Sequence, residues 1–202
     1  MSGAGDGWRL YYDKTTGRPP RPTLLAALAA FEREGRDAAG LFAVDLGCGS
    51  GRDTIELLRR SWAVLAIDSE PAAIEELSRR ADLPAGARLQ TQIARLETAE
   101  WPACDLVNAS FSLPLVPRQA FAGLWRRIRA SLRPDGRFAG QLYGERDGWA
   151  GNPEMTHLSR PEIDALLDGL AVEMFEEIEE DSLTPRGKPK HWHVFHLVAR
   201  KT

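Results

Sequence analysis

The chain is poor in cysteine: Cys48 and Cys104 are its only two in 202 residues. That excludes a disulfide framework and a thiolate-rich metal site. An excess of basic charge is also missing. With 26 Lys and Arg against 29 Asp and Glu, the net charge is −3, and no field exists to draw in a phosphate backbone. Nucleic acid is therefore not expected as a partner. No apolar run is long enough to span a bilayer, and the N-terminus does not read as a signal peptide. The expectation is a cytoplasmic chain without membrane partners, its thiols reduced, as monomer or homodimer. Repeats, low-complexity tracts and interdomain linkers are not legible. At this length, with 43% hydrophobic residues, one domain over 1–202 is expected, with 1–22 as an N-terminal cap and connector.

What is present is concentrated in residues 44–54, Val-Asp-Leu-Gly-Cys-Gly-Ser-Gly-Arg-Asp-Thr. An apolar run, Leu41 to Val44, enters Asp45. Three alternating glycines follow (Gly47, Gly49, Gly51), then a helical segment from Ile55. Such a strand–loop–helix lets the backbone turn sharply and offers helix N–H groups to a polar ligand. The dinucleotide fingerprint is G-x-G-x-x-G. Here the spacing is G-x-G-x-G, and Arg52 stands where the last of those glycines would fall. Asp45 would repel a pyrophosphate and suits a ligand carrying an ammonium or another positive centre. A second apolar run, Trp62 to Ile67, ends at Asp68-Ser69. An acid at that point, about 20 residues beyond the glycines, commonly holds ribose hydroxyls. Asp68 also suits a cap for the helix opening at Pro71.

Strands are expected near 41–46, 62–67, 87–93, 105–109, 137–143, 171–180 and 191–200. Helices are expected near 23–35, 51–61, 71–82, 117–132 and 160–168. Alternation of the two implies a parallel α/β sheet with helices on both faces, closed by an antiparallel hairpin at one edge. In such sheets the ligand sits outside the carboxyl ends of the strands, at the switch point. The lining segments are then 45–53, 68–70, 94–97, 108–113 and 143–157.

Asp45-Leu46-Gly47-Cys48-Gly49-Ser50-Gly51 resembles the first motif of the class I S-adenosylmethionine-dependent methyltransferases. With Asn108-Ala109-Ser110-Phe111, Leu132-Arg133-Pro134-Asp135-Gly136 and the closing hairpin, residues 20–200 are similar to its small tellurite-resistance-type branch. The resemblance implies a Rossmann-like, doubly wound, seven-stranded sheet, mostly parallel with a C-terminal antiparallel hairpin. It implies S-adenosyl-L-methionine as cofactor and a small-molecule acceptor. Cofactor-binding residues are then Asp45, Gly47, Cys48, Gly49, Gly51, Arg52, Asp68, Ser69, Arg95, Leu96, Asn108 and Phe111. Arg21 joins this set through the N-terminal segment, which either packs across the sheet or folds over the cofactor with Arg18 or Arg21 pairing the methionine carboxylate. Arg95 stands where many members carry Asp, so adenine recognition there falls to the backbone or Glu97. Ala109 and Ser110 replace both prolines of the Asn/Asp-Pro-Pro-aromatic motif, which argues against methylation of DNA adenine or glutamine.

The segment 144–158 is long and follows strand 5 at the ligand face, which makes it a candidate substrate lid. From it come Trp149 and Asn152 as candidate substrate contacts, joined by Tyr12 and Tyr143. His157 is the candidate general base, since its ordinary pKa lies near neutrality. No metal is expected: on a strand His191 and His193 share a face while His196 points away. The acidic run Glu173 to Asp181 reads as the solvated face of an edge strand. Two other readings stay open, a catalytically silent cofactor-binding sensor or partner subunit and a nicotinamide-dependent reductase. Asp45 and the missing third glycine oppose the latter.

Overall fold

The computed structural model describes residues 17–202. Helix α1 (Pro22–Arg33) opens with proline at its first position, where a missing N–H costs nothing. Leu24, Ala27, Leu28 and Phe31 recur at helical spacing and are buried. Strand β1 (Phe42–Leu46) then leads through the glycines into α2 (Arg52–Arg59). Strand β2 (Ala63–Asp68), helix α3 (Pro71–Ser78) and strand β3 (Leu89–Ile93) follow. Strand β4 (Cys104–Ala109), helix α4 (Arg118–Ser131) and the long β5 (Leu132–Gly144) come next. The chain ends in β6 (His157–Leu158), α5 (Arg160–Leu167), β7 (Leu170–Leu183) and β8 (Pro189–Lys201). A capping box starts α5: Ser159 and Glu162 each satisfy the other's backbone N–H.

The strands form one sheet in the order β3-β2-β1-β4-β5-β8-β7. Seven strands lie on this path as expected; the two-residue β6 is an eighth, pairing with the end of β5 inside the segment read as a lid. β1 to β5 are parallel, while β8 runs antiparallel to β5 and to β7. Residues 133–136, between the expected helix and strand, lie inside β5 as a bulge: β4 pairs with Leu132, skips, and resumes at Arg137. Asp135 takes a positive φ of 61° there.

Two cores sandwich the sheet. One face buries the α1, α2 and α3 residues Leu24, Leu28, Ile55 and Leu77 against Val64 and Leu106. The other buries Phe121, Trp125, Ile128 and Ile163 of α4 and α5 against Val107 and Phe138. β1 sits beside both β2 and β4, so the chain reverses its direction of travel across the sheet between β1 and β4. That is the switch point, and a cleft opens at the carboxyl ends of these strands.

The acidic run on β7 is exposed along an edge strand, as expected. Several of its carboxylates also pair with neighbouring elements: Glu173 with Arg137 and Arg200, Glu177 with His193 and Arg146, Glu179 with Arg146 and His191. Charged partners on the neighbouring strand are an arrangement that spacing along β7 alone does not reveal.

Candidate active site

The three glycines of the loop all hold positive φ: 70° at Gly47, 54° at Gly49 and 87° at Gly51. This is the left-handed region that residues with a Cβ avoid. Packing enforces two of them. A Cβ at Gly47 would lie 2.3 Å from Ser112 Cβ, and one at Gly51 would lie 2.3 Å from Leu77 Cδ1. The loop is thus tight against β4's exit and α3, and Gly51 caps α2 without a side chain.

Around this loop lies a cavity of about 270 Å³. It is lined by Asp45, Gly47, Cys48, Gly49 and Arg52 from the glycine loop, Asp68 and Ser69 from β2, Arg95 and Leu96 beyond β3, Phe111 beyond β4, and Arg21 from the connector. Eleven of the thirteen expected cofactor residues are therefore brought together. Asn108 and Gly51 stand behind the surface instead. Asn108 is fully buried, its amide donating to Asp45 Oδ1 at 2.9 Å and to Asp53 Oδ2 at 3.1 Å. Asp45 and Asn108 sit side by side because β1 and β4 pair them in register.

The electrostatics of the cavity are acidic at one end. Asp45 Oδ2 accepts from Thr54 Oγ1 at 2.5 Å, yet neither Asp45 nor Asp53 has an ion-pair partner among the described residues. Burial, followed by the nearby Asp53 charge, pushes the Asp45 carboxyl up to about 7. Two enclosed acids bridged by one amide are short of positive charge, and a cationic ligand group would supply it. Asp68 is buried and raised for the same first cause, desolvation. Its Oδ2 accepts from Gly49 N at 2.8 Å and its Oδ1 from Glu70 N at 2.9 Å. Each oxygen keeps a second lone pair for a ligand hydroxyl, so the capping and ligand roles coexist. Arg95 is tied to Glu97 at 2.6 Å and exposed. Both thiols are buried: desolvation holds Cys48 well above its ordinary value and Cys104 at about 12, so neither is a nucleophile.

The connector runs along the first turn of α2. Arg52 Nε donates to the Pro19 carbonyl at 2.6 Å, and Arg21 N donates to Asp53 Oδ1 at 3.0 Å. The Arg21 guanidinium lies 4.4 Å from the Phe111 ring centre, and its buried Nε has no hydrogen-bond partner. Phe111 itself has a positive φ of 57°, a strained setting for an aromatic residue. The fully buried Gln141 fixes it. Oε1 accepts from Phe111 N at 3.1 Å, and Nε2 donates to Thr23 Oγ1 at 2.9 Å.

Phe111 also begins an aromatic wall. Its ring is 6.2 Å from Tyr143 and 6.5 Å from Trp192; Trp149 is 6.1 Å from Tyr143 and 5.8 Å from Trp192. Tyr143 and Trp149, expected at the substrate, are thus in one cluster beside Phe111, though neither lines the cavity itself. The remaining expected residues are elsewhere. His157 stacks on Tyr143 at 5.9 Å with Nε2 enclosed and unbonded, and it does not line the cavity. Desolvation lowers its pKa, and the Lys190 charge pushes the same way, against Asp147. Asn152 is exposed, its Oδ1 accepting from Glu154 N in a local turn. Tyr12 lies outside the described residues.

Sequence reasoning missed Asp53, Gln141 and Lys190. Asp53 sits within the quoted motif, where an acid in a first helical turn reads simply as complementing the helix dipole. Gln141 and Lys190 carry no motif at all. Among the described residues no cluster has the make-up of a metal site, and no helix is long and apolar enough to cross a membrane.

Comparison with known proteins accords with this geometry. Residues 43–136 match the model of a methyltransferase domain family. Carboxy-S-adenosyl-L-methionine synthase of Citrifermentans bemidjiense is 30% identical over 105 residues, 48% of this chain and 43% of that protein. The chain therefore aligns with less than half the length of that relative. Among solved structures, TehB from Haemophilus influenzae superposes with a TM-score of 0.76 at 14% identity, over 96% of this chain and 67% of that one. Magnesium protoporphyrin IX methyltransferase from Synechocystis, solved with S-adenosylmethionine, gives 0.70 at 15% identity, over 97% and 91%. These likenesses show the fold: residues 43–136 match a methyltransferase domain, and the doubly wound sheet is the one found in TehB and in the magnesium protoporphyrin IX methyltransferase.

Proposed function

We propose that this chain transfers a methyl group from S-adenosyl-L-methionine to a small acceptor seated on the aromatic wall. The observation that carries the reading is the pair of buried, ion-pair-free acids at the switch point, Asp45 and Asp53, in a cavity whose other end presents Asp68. A ligand with a positive amino-acid end and a ribose satisfies both ends; a pyrophosphate satisfies neither.

When bound, the cofactor supplies an electrophilic methyl group on a sulfonium. The chain's residues bind and align. Asp45 and Asp53, held by Asn108, Thr54 and Ser110, balance the cofactor's ammonium. Arg21 pairs its carboxylate, for which the unpartnered Nε supplies a motive. Asp68 and Ser69 hold the ribose, while Leu96, with the Arg95–Glu97 pair, borders the adenine. Gly47, Cys48, Gly49 and Arg52 form the loop beneath. Phe111 and Tyr143, with Trp149 and Trp192, dry the acceptor side and orient a flat molecule. His157 supports Tyr143 from behind rather than meeting the acceptor. The described connector hydrogen-bonds to α2 next to the cavity, which places Pro19 and Arg21 at its rim. The relative that makes carboxy-S-adenosylmethionine and the neighbours named for small molecules support a small acceptor.

Calorimetric titration with S-adenosylhomocysteine, with NADH in parallel, tests the cofactor. Micromolar binding of the first alone is expected. Binding of NADH alone, or of neither, overturns the reading. Consumption of methyl-labelled cofactor across an acceptor panel then separates an enzyme from a silent binding subunit.

A further inference from the structure

Lys190 is buried, with its side chain 2% exposed, and its Nζ lies 2.7 Å from Asp147 Oδ2, whose side chain is fully enclosed. Three aromatic rings surround that ammonium. Their centres are 3.5 Å away for Trp192, 3.9 Å for Trp149 and 4.4 Å for Tyr143. The fourth ring of the wall, Phe111, carries Arg21 at 4.4 Å. Each ring of the acceptor wall is therefore in contact with a cation of this chain. Asp147 also organises the turn that presents Trp149, accepting from Trp149 N at 3.0 Å. Trp149 is the most open of the four rings, at 39% exposure.

A cation against an aromatic ring is attracted by the ring's negative face. A ring so engaged has less to offer a second cation, and it welcomes an electron-rich plane. Across Phe111 the balance of charge shifts, since the cofactor cavity is lined by the acids Asp45, Asp53, Asp68, Glu70 and Glu97 against the arginines Arg21, Arg52 and Arg95. The site is split into an acidic half and a cation-backed half.

We propose that Lys190, held by Asp147, sets the acceptor specificity of the wall, selecting a planar anionic molecule (an aromatic carboxylate or phenolate) over neutral and cationic ones of the same shape. This rests on the methyltransferase reading and names the substrate class for it. An acceptor that arrives anionic needs no general base, which suits a wall where His157 Nε2 is enclosed. Lys190 is a specificity-determining residue here.

The test uses the full chain and three probes of one shape: benzoate, benzamide and benzylammonium. Each is titrated by ligand-observed NMR, with and without saturating S-adenosylhomocysteine. Benzoate is expected to bind at least tenfold more tightly than benzylammonium. Lys190→Gln should abolish that ratio and Lys190→Arg should restore it. Trp149→Ala, at the most open ring of the wall, should weaken all three probes several-fold while leaving S-adenosylhomocysteine affinity intact. A ratio near one, a preference for benzylammonium, or Lys190→Gln weakening all probes equally overturns the proposal and leaves Lys190 structural. Absence of S-adenosylhomocysteine binding, with the benzoate preference intact, would instead strike the methyltransferase reading alone.

Discussion

Asp45 is the residue where folding and ligand binding conflict. Its carboxyl is pushed up to about 7, so between pH 4 and 7 the folded chain retains a proton that the unfolded chain has lost. Stability of the ligand-free protein should therefore fall as pH rises through that window, and Asp68, raised by the same desolvation, adds in the same direction. Asp45→Asn removes the conflict: its amide oxygen still accepts from Asn108 and its N–H₂ donates to Thr54. At pH 7.5 it should gain at least about 1 kcal/mol, roughly 2–4 °C in Tm for a chain of this size, while losing affinity for S-adenosylhomocysteine. Calorimetric melts and titrations of the same protein read both signs. Asp68→Ala should cost about 1–3 kcal/mol of binding, roughly 5- to 150-fold in Kd, by leaving a ligand hydroxyl unpaired. Wild-type affinity in that variant would remove Asp68 from the site. Gly47→Val is a poor probe, because a Cβ there strikes Ser112 before any ligand is considered. The motif was legible residue by residue, but this packing reason for its glycines was not: Ser112 and Leu77 are far from the loop in sequence.

At the scale of elements, Arg137 decides how α1 joins the far side of the sheet. It is 1% exposed and pairs with Glu173 on β7 at 2.6 Å and with Glu34 at the end of α1. Its partners are not equally enclosed, at 39% for Glu34 and 25% for Glu173. The pair should therefore respond asymmetrically. Removing both acids leaves an uncompensated buried guanidinium and should cost about 3–5 kcal/mol. Arg137→Met leaves two carboxylates that water can reach, and its cost should be well below that. Chemical denaturation of the double Glu34→Ala, Glu173→Ala variant against Arg137→Met checks the order; equal losses would refute it. Most strands and helices were legible from apolar runs and Gly/Pro punctuation. The β6 pairing was not, because two residues carry no period. Nor was the charge pairing of β7, because its partners, Arg146, His191 and His193, come from other elements.

At the scale of the whole molecule, a ligand that binds only the folded state stabilises it by mass action. S-adenosylhomocysteine at 100 times its Kd should add about 2.7 kcal/mol, and NADH at the same concentration nothing. The gain should be larger at pH 8 than at pH 5, since the ammonium relieves Asp45, whose carboxyl is pushed up to about 7 and is ionised at the higher pH. A thermal scan at both pH values decides this, and equal shifts would detach Asp45 from the cofactor. The sequence by itself determined the sheet, its edge hairpin and the cofactor loop, because these rest on local periods and on a motif contiguous in the chain. Tertiary structure alone decided that Asp53 joins Asp45, that Gln141 holds Phe111, and that Lys190 stands behind the aromatic wall. Those contacts join residues 30 to 118 positions apart, and the parallel register of β1 with β4 and of β4 with β5, together with the antiparallel return of β8, brings them within bonding distance.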